Sequence, residues 1–146
     1  MTQKRMGEAW MPADEYGRRM PSFTVNLLVR DVARSVAFYQ HVLGATVQYS
    51  DADFAALELA GLEFMLHADH AYDHHPLFAR LQEKSPRGTG AELRLLGVNP
   101  DQVEARAKAH GATILQPAQD FPHGWRDIMV CDPDGYIWAV GVLLPR

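Results

Sequence analysis

The chain says the same thing twice. Residues 22–30, SFTVNLLVR, alternate apolar and polar side chains as a half-buried strand does. Asp31 then stands as the N-cap of a helix, VARSVAFYQHVL, which Gly44 ends. Further on, AELRLLGV alternates in the same way, Asn99 caps, Pro100 fills the first helical position and Gln102 completes a capping-box-like spacing. That second helix runs to His110 and stops at Gly111. Gly44-Ala45-Thr46-Val47 returns as Gly111-Ala112-Thr113-Ile114, each time directly after the helix and opening a strand. Such self-similarity is the mark of an internal duplication. Each half reads strand, helix, strand, strand, strand, so the expected architecture is α+β with two βαβββ modules.

The second half closes on a hairpin over Phe121–Leu144. Its two apolar runs are joined by Asp132-Pro133-Asp134-Gly135, in which Pro fixes φ, Asp caps the backbone and Gly tolerates the exit. In the first half the strands ATVQYS, DFAALELA and LEFMLHA break near Asp51 and Gly61. The expected division is an N-terminal arm over 1–21, a first module over 22–69, a linker over 70–90 with a short helix in PLFARLQEK, and a second module over 91–146. The arm shows no clean period, and its Trp10, Met11, Tyr16 and Met20 leave two readings open: disorder, or aromatics docked on a sheet or on a second subunit.

With 146 residues and 47% apolar content, such a chain buries roughly 68–70% of its unfolded surface. A net charge of −4 without a basic stripe argues against nucleic acid and anionic membrane as main partners. No apolar run approaches a membrane span and no signal-peptide h-region opens the chain. Cys131 is the lone cysteine, so no intrachain disulfide forms and a reducing, cytoplasmic setting is expected.

Period-two alternation groups the strand residues by face. Thr24 and Asn26 share one face of the first strand, as do Glu63, Met65 and His67 of the fourth. In the second half Glu92 goes with Arg94, and Ile137 with Ala139 and Gly141. Counting from Asp31 and Asn99 makes Thr24 and Glu92 repeat equivalents; counting from Gly61 and Gly135 pairs Met65 with Ala139. Trp138, alternating with Ala139, is expected in the core. The run HADHAYDHH after the fourth strand matches no closed tetrahedral spacing and is expected as a solvated polar loop.

Asp31-Val32, Ser35, Phe38-Tyr39 and Leu43-Gly44 after the first strand, then Gly111-Ala112, the Gly124 loop and Asp132-Pro133-Asp134-Gly135-Tyr136 with Trp138, resemble the vicinal oxygen chelate superfamily. That superfamily holds glyoxalase I, extradiol dioxygenases and bleomycin resistance proteins. The resemblance spans about residues 22–144. It implies paired modules whose curled sheets enclose a concave cavity, commonly in a homodimer, with the grouped faces lining the bowl. It also implies that Thr24, Met65, Glu92 and Ala139 stand where metal-dependent relatives carry His, Gln or Glu ligands. Of these only Glu92 suits a hard divalent ion, so no metal cofactor is expected.

The function that follows is binding of a small organic molecule in a metal-free cavity, by sequestration in the manner of bleomycin resistance proteins. The expected ligand-binding residues are Asn26, Phe54, Met65, His67, Glu92, Arg94, His123 and Trp125. His123 and Trp125 stand where metal-free relatives place rim residues, and Glu92 and Arg94 either neutralise each other or anchor a ligand, Arg94 an anionic one or Glu92 a cationic one. The alternative is a lyase or isomerase of the glyoxalase type, its divalent metal held by Glu92 and His67 after a register shift of two residues. A third reading is an enzyme without metal that uses His67 or His123 as general base and Arg94 to stabilise an enolate or carboxylate.

Overall fold

A computed structural model of the chain describes Lys4, Gly7 and residues 9–146. In chain order the elements are α1 (Ala13–Arg18), β1 (Asn26–Val29), α2 (Val32–His41), β2 (Thr46–Ser50), β3 (Phe54–Leu59) and β4 (Leu62–Ala68). A 3-10 turn (Asp69–Tyr72) and α3 (Phe78–Leu81) lead to β5 (Glu92–Leu96), α4 (Pro100–His110), β6 (Thr113–Asp120), β7 (Trp125–Cys131) and β8 (Ile137–Leu143). Two four-stranded sheets result, ordered β1-β4-β3-β2 and β5-β8-β7-β6, and in each the first strand runs parallel to the last while the others pair antiparallel. The duplication is therefore one of topology, and the fold is α+β with two βαβββ modules. Contacts gather the chain into two compact units, residues up to Val36 with Ala45–Lys84, and Ala37–Gly44 with Ser85–Arg146.

The caps act as their chemistry dictates. Asp31 Oδ1 accepts from Arg34 N–H at 3.2 Å, and Asn99 Oδ1 accepts from Asp101 and Gln102 N–H at 2.9 and 3.2 Å. Gly111 ends α4 in the left-handed conformation, with φ 78°. In the second unit α4 packs on β6, β7 and β8, setting Val103 and Ala107 in a fully buried core with Ile128, Val130 and Val140. Each such aliphatic side chain contributes about 1.5–3 kcal/mol by leaving water. Trp138 is buried there too, and its Nε1–H donates to the Tyr39 hydroxyl at 3.1 Å.

Two expectations need correction. β1 starts at Asn26 and Phe23 is 86% exposed, because Thr24 Oγ1 donates to the Pro21 carbonyl and draws the segment into a local turn in place of a ladder. The run HADHAYDHH is not a solvated loop throughout: the 3-10 turn buries Asp69 and His70, whose Nε2 lies 2.8 Å from Asp53 Oδ1, while Ala71, Asp73, His74 and His75 are exposed. The arm, which showed no period, carries the short helix α1. Among the described residues no helix is long and apolar enough to cross a membrane.

Candidate functional site

The register of the first unit decides what its open face shows. Asn26 pairs with Met65, and across β3 Phe54 pairs with His67, Ala56 with Met65 and Glu58 with Glu63. The period of two then puts Phe54, Met65 and His67 on one face, while Phe64, Leu66 and Ala68 are buried behind it. The arm lies over this face. Trp10 stacks on Tyr49 with ring centroids 5.1 Å apart, and Tyr16 meets Phe54 edge-on at 5.1 Å. Each aromatic pair is worth about 0.5–1.5 kcal/mol beyond its buried area. Arg19 fastens the far end, bonded to Glu63 Oε1 at 2.5 Å and Gln48 Oε1 at 3.2 Å, with its guanidinium 5.5 Å from the Trp10 ring.

Arm and sheet leave a cavity of about 720 Å³ between them, with Phe54, Met65 and His67 as floor and Trp10, Tyr16 and Met20 among its walls. That is a usual size for a small-molecule site. Its polar groups are few. His67 Nδ1–H donates to Asn26 Oδ1 at 2.7 Å, and Asn26 Nδ2 in turn donates to the Tyr72 hydroxyl at 2.7 Å. This chain fixes the ring, so that Nε2, without a partner among the described residues, carries the lone pair. Burial holds the His67 pKa below its ordinary value against the opposing pull of Asp51 and Asp53. Tyr16 is 8% exposed, and its hydroxyl has no hydrogen-bond partner among the described residues.

The second unit uses the equivalent face differently. Glu92 pairs with Ile137 and Arg94 with Ala139, while Asp127 lies opposite Gly141. Arg94 Nη1 bonds Glu92 Oε1 at 2.5 Å, Nη2 bonds Asp127 Oδ2 and His123 Nε2, each at 3.2 Å, and the guanidinium sits 4.5 Å from the centroid of Trp125. Because Arg94 can only donate, His123 Nε2 accepts. Arg94 thus ties two carboxylates, an imidazole and an indole together, and Asp127, 3% exposed, is the innermost.

The structure therefore brings the expected residues together as two quartets. Asn26, Phe54, Met65 and His67 meet in the first unit; Glu92, Arg94, His123 and Trp125 meet in the second, where Trp125 opens β7 instead of preceding it. Sequence reasoning missed Asp127, although it alternates with Arg126 and Ile128 and so had to share the face of Trp125. Tyr72 and Asp53, set by the 3-10 turn and the β2–β3 loop, left no periodic signal.

At the four positions that the family resemblance would assign to metal ligands, the donor chemistry does not suit a divalent cation. Thr24 offers a neutral hydroxyl already bonded to Pro21, Met65 a soft thioether, Ala139 nothing, and Glu92 a carboxylate engaged by Arg94. Among the described residues no group of three or more His, Cys, Asp or Glu side chains is gathered as a metal site would need.

Paired βαβββ modules, each with one face turned from its core, define a class of scaffold whose uses range from catalysis to sequestration. Residues 22–140 match the model of the Glyoxalase/Bleomycin resistance protein/Dioxygenase superfamily, and the chain belongs to that superfamily. Among solved structures it is similar to a glyoxalase/bleomycin resistance protein/dioxygenase family enzyme from Burkholderia phytofirmans PsJN (24% identity, 83% of this chain and 97% of that one, TM-score 0.68). A glyoxalase/bleomycin resistance protein/dioxygenase from Nocardioides also matches (24%, 90% and 92%, 0.65), as does a lactoylglutathione lyase from Agrobacterium tumefaciens (16%, 84% and 94%, 0.61). At these identities the likeness is one of fold. No curated protein matches the chain.

Proposed function

We propose that this protein binds a small organic molecule in the cavity of its first unit, without a metal ion, and acts by sequestering it. The carrying observation is the cavity of about 720 Å³, floored by Phe54, Met65 and His67 and walled by the arm's Trp10 and Tyr16. A mostly apolar concavity with a few placed polar atoms is what recognition of such a ligand requires. The donor set speaks for the same reading, since Thr24, Met65 and Ala139 would leave a divalent ion with a single carboxylate that Arg94 already holds. In this reading the protein works in the cytoplasm, the reducing setting that suits its lone Cys131, and as a homodimer, as the family resemblance implies; a monomer mass in sedimentation would refute the dimer.

The test is a thermal-shift screen of small aromatic compounds, run with and without a chelator. At a hundred times its dissociation constant a ligand adds about 2.7 kcal/mol, which for a chain of this length raises the melting temperature by about 5–10 °C. The shift is expected to survive the chelator. A shift that disappears with chelator and returns with Ni²⁺ or Zn²⁺ would overturn the proposal in favour of a metal-dependent lyase or isomerase.

A further inference from the structure

The polar atoms of the first unit's cavity restrict what it can hold. One of them lacks a partner among the described residues: the Nε2 of His67, an acceptor once Nδ1 has given its proton to Asn26. Charge is otherwise settled around this space. Asp53, the one carboxylate among the described lining residues, faces His70 at 2.8 Å, and Arg19 at the end of the arm is held by Glu63 and Gln48. An anionic ligand would thus meet no free cation and would feel Asp51 and Asp53. A cationic one would have to draw Asp53 away from His70. The surfaces that remain are the rings of Trp10, Tyr16 and Phe54, which favour a flat aromatic body.

We infer that the ligand of this cavity is an uncharged planar aromatic molecule bearing a hydroxyl group. Its ring lies among Trp10, Tyr16 and Phe54, and its O–H donates to His67 Nε2. His67 is thereby the specificity-determining residue. The inference rests on the proposed binding role of the cavity and adds the chemical class of the ligand.

Four probes of one size separate the possibilities by calorimetry on the full chain: 2-naphthol, naphthalene, 2-naphthoate and 2-naphthylmethylammonium. Wild type is expected to bind 2-naphthol about tenfold or more tightly than the other three, the worth of one good neutral hydrogen bond. His67→Phe should lose about tenfold in affinity for 2-naphthol and keep its affinity for naphthalene, which reports an intact cavity. Naphthalene, naphthoate or the ammonium binding as tightly as the naphthol, or His67→Phe keeping both affinities unchanged, overturns the ligand class but leaves the cavity a binding site. If none of the four binds to wild type, the binding role falls with it.

Discussion

Asp132 offers a test of the second unit that reads out in pH. Its Oδ1 accepts from the backbone N–H groups of Asp134, Gly135 and Tyr136, at 2.9, 3.0 and 2.9 Å, and its Oδ2 accepts from the Tyr39 hydroxyl at 2.6 Å. These bonds favour the carboxylate, yet burial outweighs them and, with the nearby Asp134, pushes its pKa up from 3.8 to about 6. The folded state thus holds the proton over a window in which the unfolded chain has lost it. Stability from this group is complete below about pH 4 and is lost as the pH rises through about 6, by about 3 kcal/mol for a shift of some two units at 1.36 kcal/mol each. Asp132→Asn keeps an oxygen for the turn but cannot titrate. Urea melts of both proteins at intervals from pH 4 to 7 isolate the effect, since every other titrating group cancels in the difference. The gap between the two stabilities should shift by about 3 kcal/mol in favour of Asp132→Asn across that range. A gap constant to within about 0.5 kcal/mol would refute the reasoning, and would mean that the four donors outweigh desolvation.

Three further outcomes follow from contacts elsewhere. Gly141→Ala should destabilise by about 3 kcal/mol or more in urea melts, because a Cβ at 141 would stand 2.1 Å from the Arg126 carbonyl oxygen and 2.6 Å from Asp127 Cβ, forcing β8 from β7; a stability equal to wild type would show that the strands yield freely. Arg94→Ala removes the guanidinium facing buried Asp127 and, with Arg94 partly exposed to screening water, should cost about 1–2 kcal/mol in the same assay. Affinity for 2-naphthol should fall in acid, below the ordinary histidine range, because protonating His67 removes the Nε2 acceptor while Asp51 and Asp53 oppose the shift only in part; a titration that stays flat down to pH 5 would sink that role for His67.

Topology was legible because it repeats. Asp31 and Asn99 cap, the glycines at 44 and 111 stop the helices, and Asp132-Pro133-Asp134-Gly135 turns the last hairpin, each by chemistry confined to a few neighbouring residues. The face assignments of Met65, His67, Glu92 and Arg94 followed from period two alone. What stayed hidden depends on contacts distant in sequence. Nothing in the arm's pattern says that Tyr16 comes to rest against Phe54, and the burial of His70 depends on Asp53, which lies across the β3–β4 hairpin. Phe23 misled because alternation continues past the point where Thr24 turns the backbone aside.

The duplication has produced two faces of like backbone and unlike chemistry, and that difference predicts where function resides. Asn26 and Arg94 hold equivalent register positions, opposite Met65 and Ala139. In the first unit the small amide spends itself orienting a histidine, which leaves one ring nitrogen and a volume beside it. In the second the long guanidinium fills its own surroundings and binds Glu92, Asp127 and His123 together, so that its positive charge is committed within the cluster. Substitutions at Arg94 and Asp127 should therefore alter melting and spare ligand affinity. Substitution at His67 should alter ligand affinity. If instead Arg94→Ala abolished binding at unchanged stability, the ion-paired face would be the working one, and the assignment of function to the first unit would be reversed.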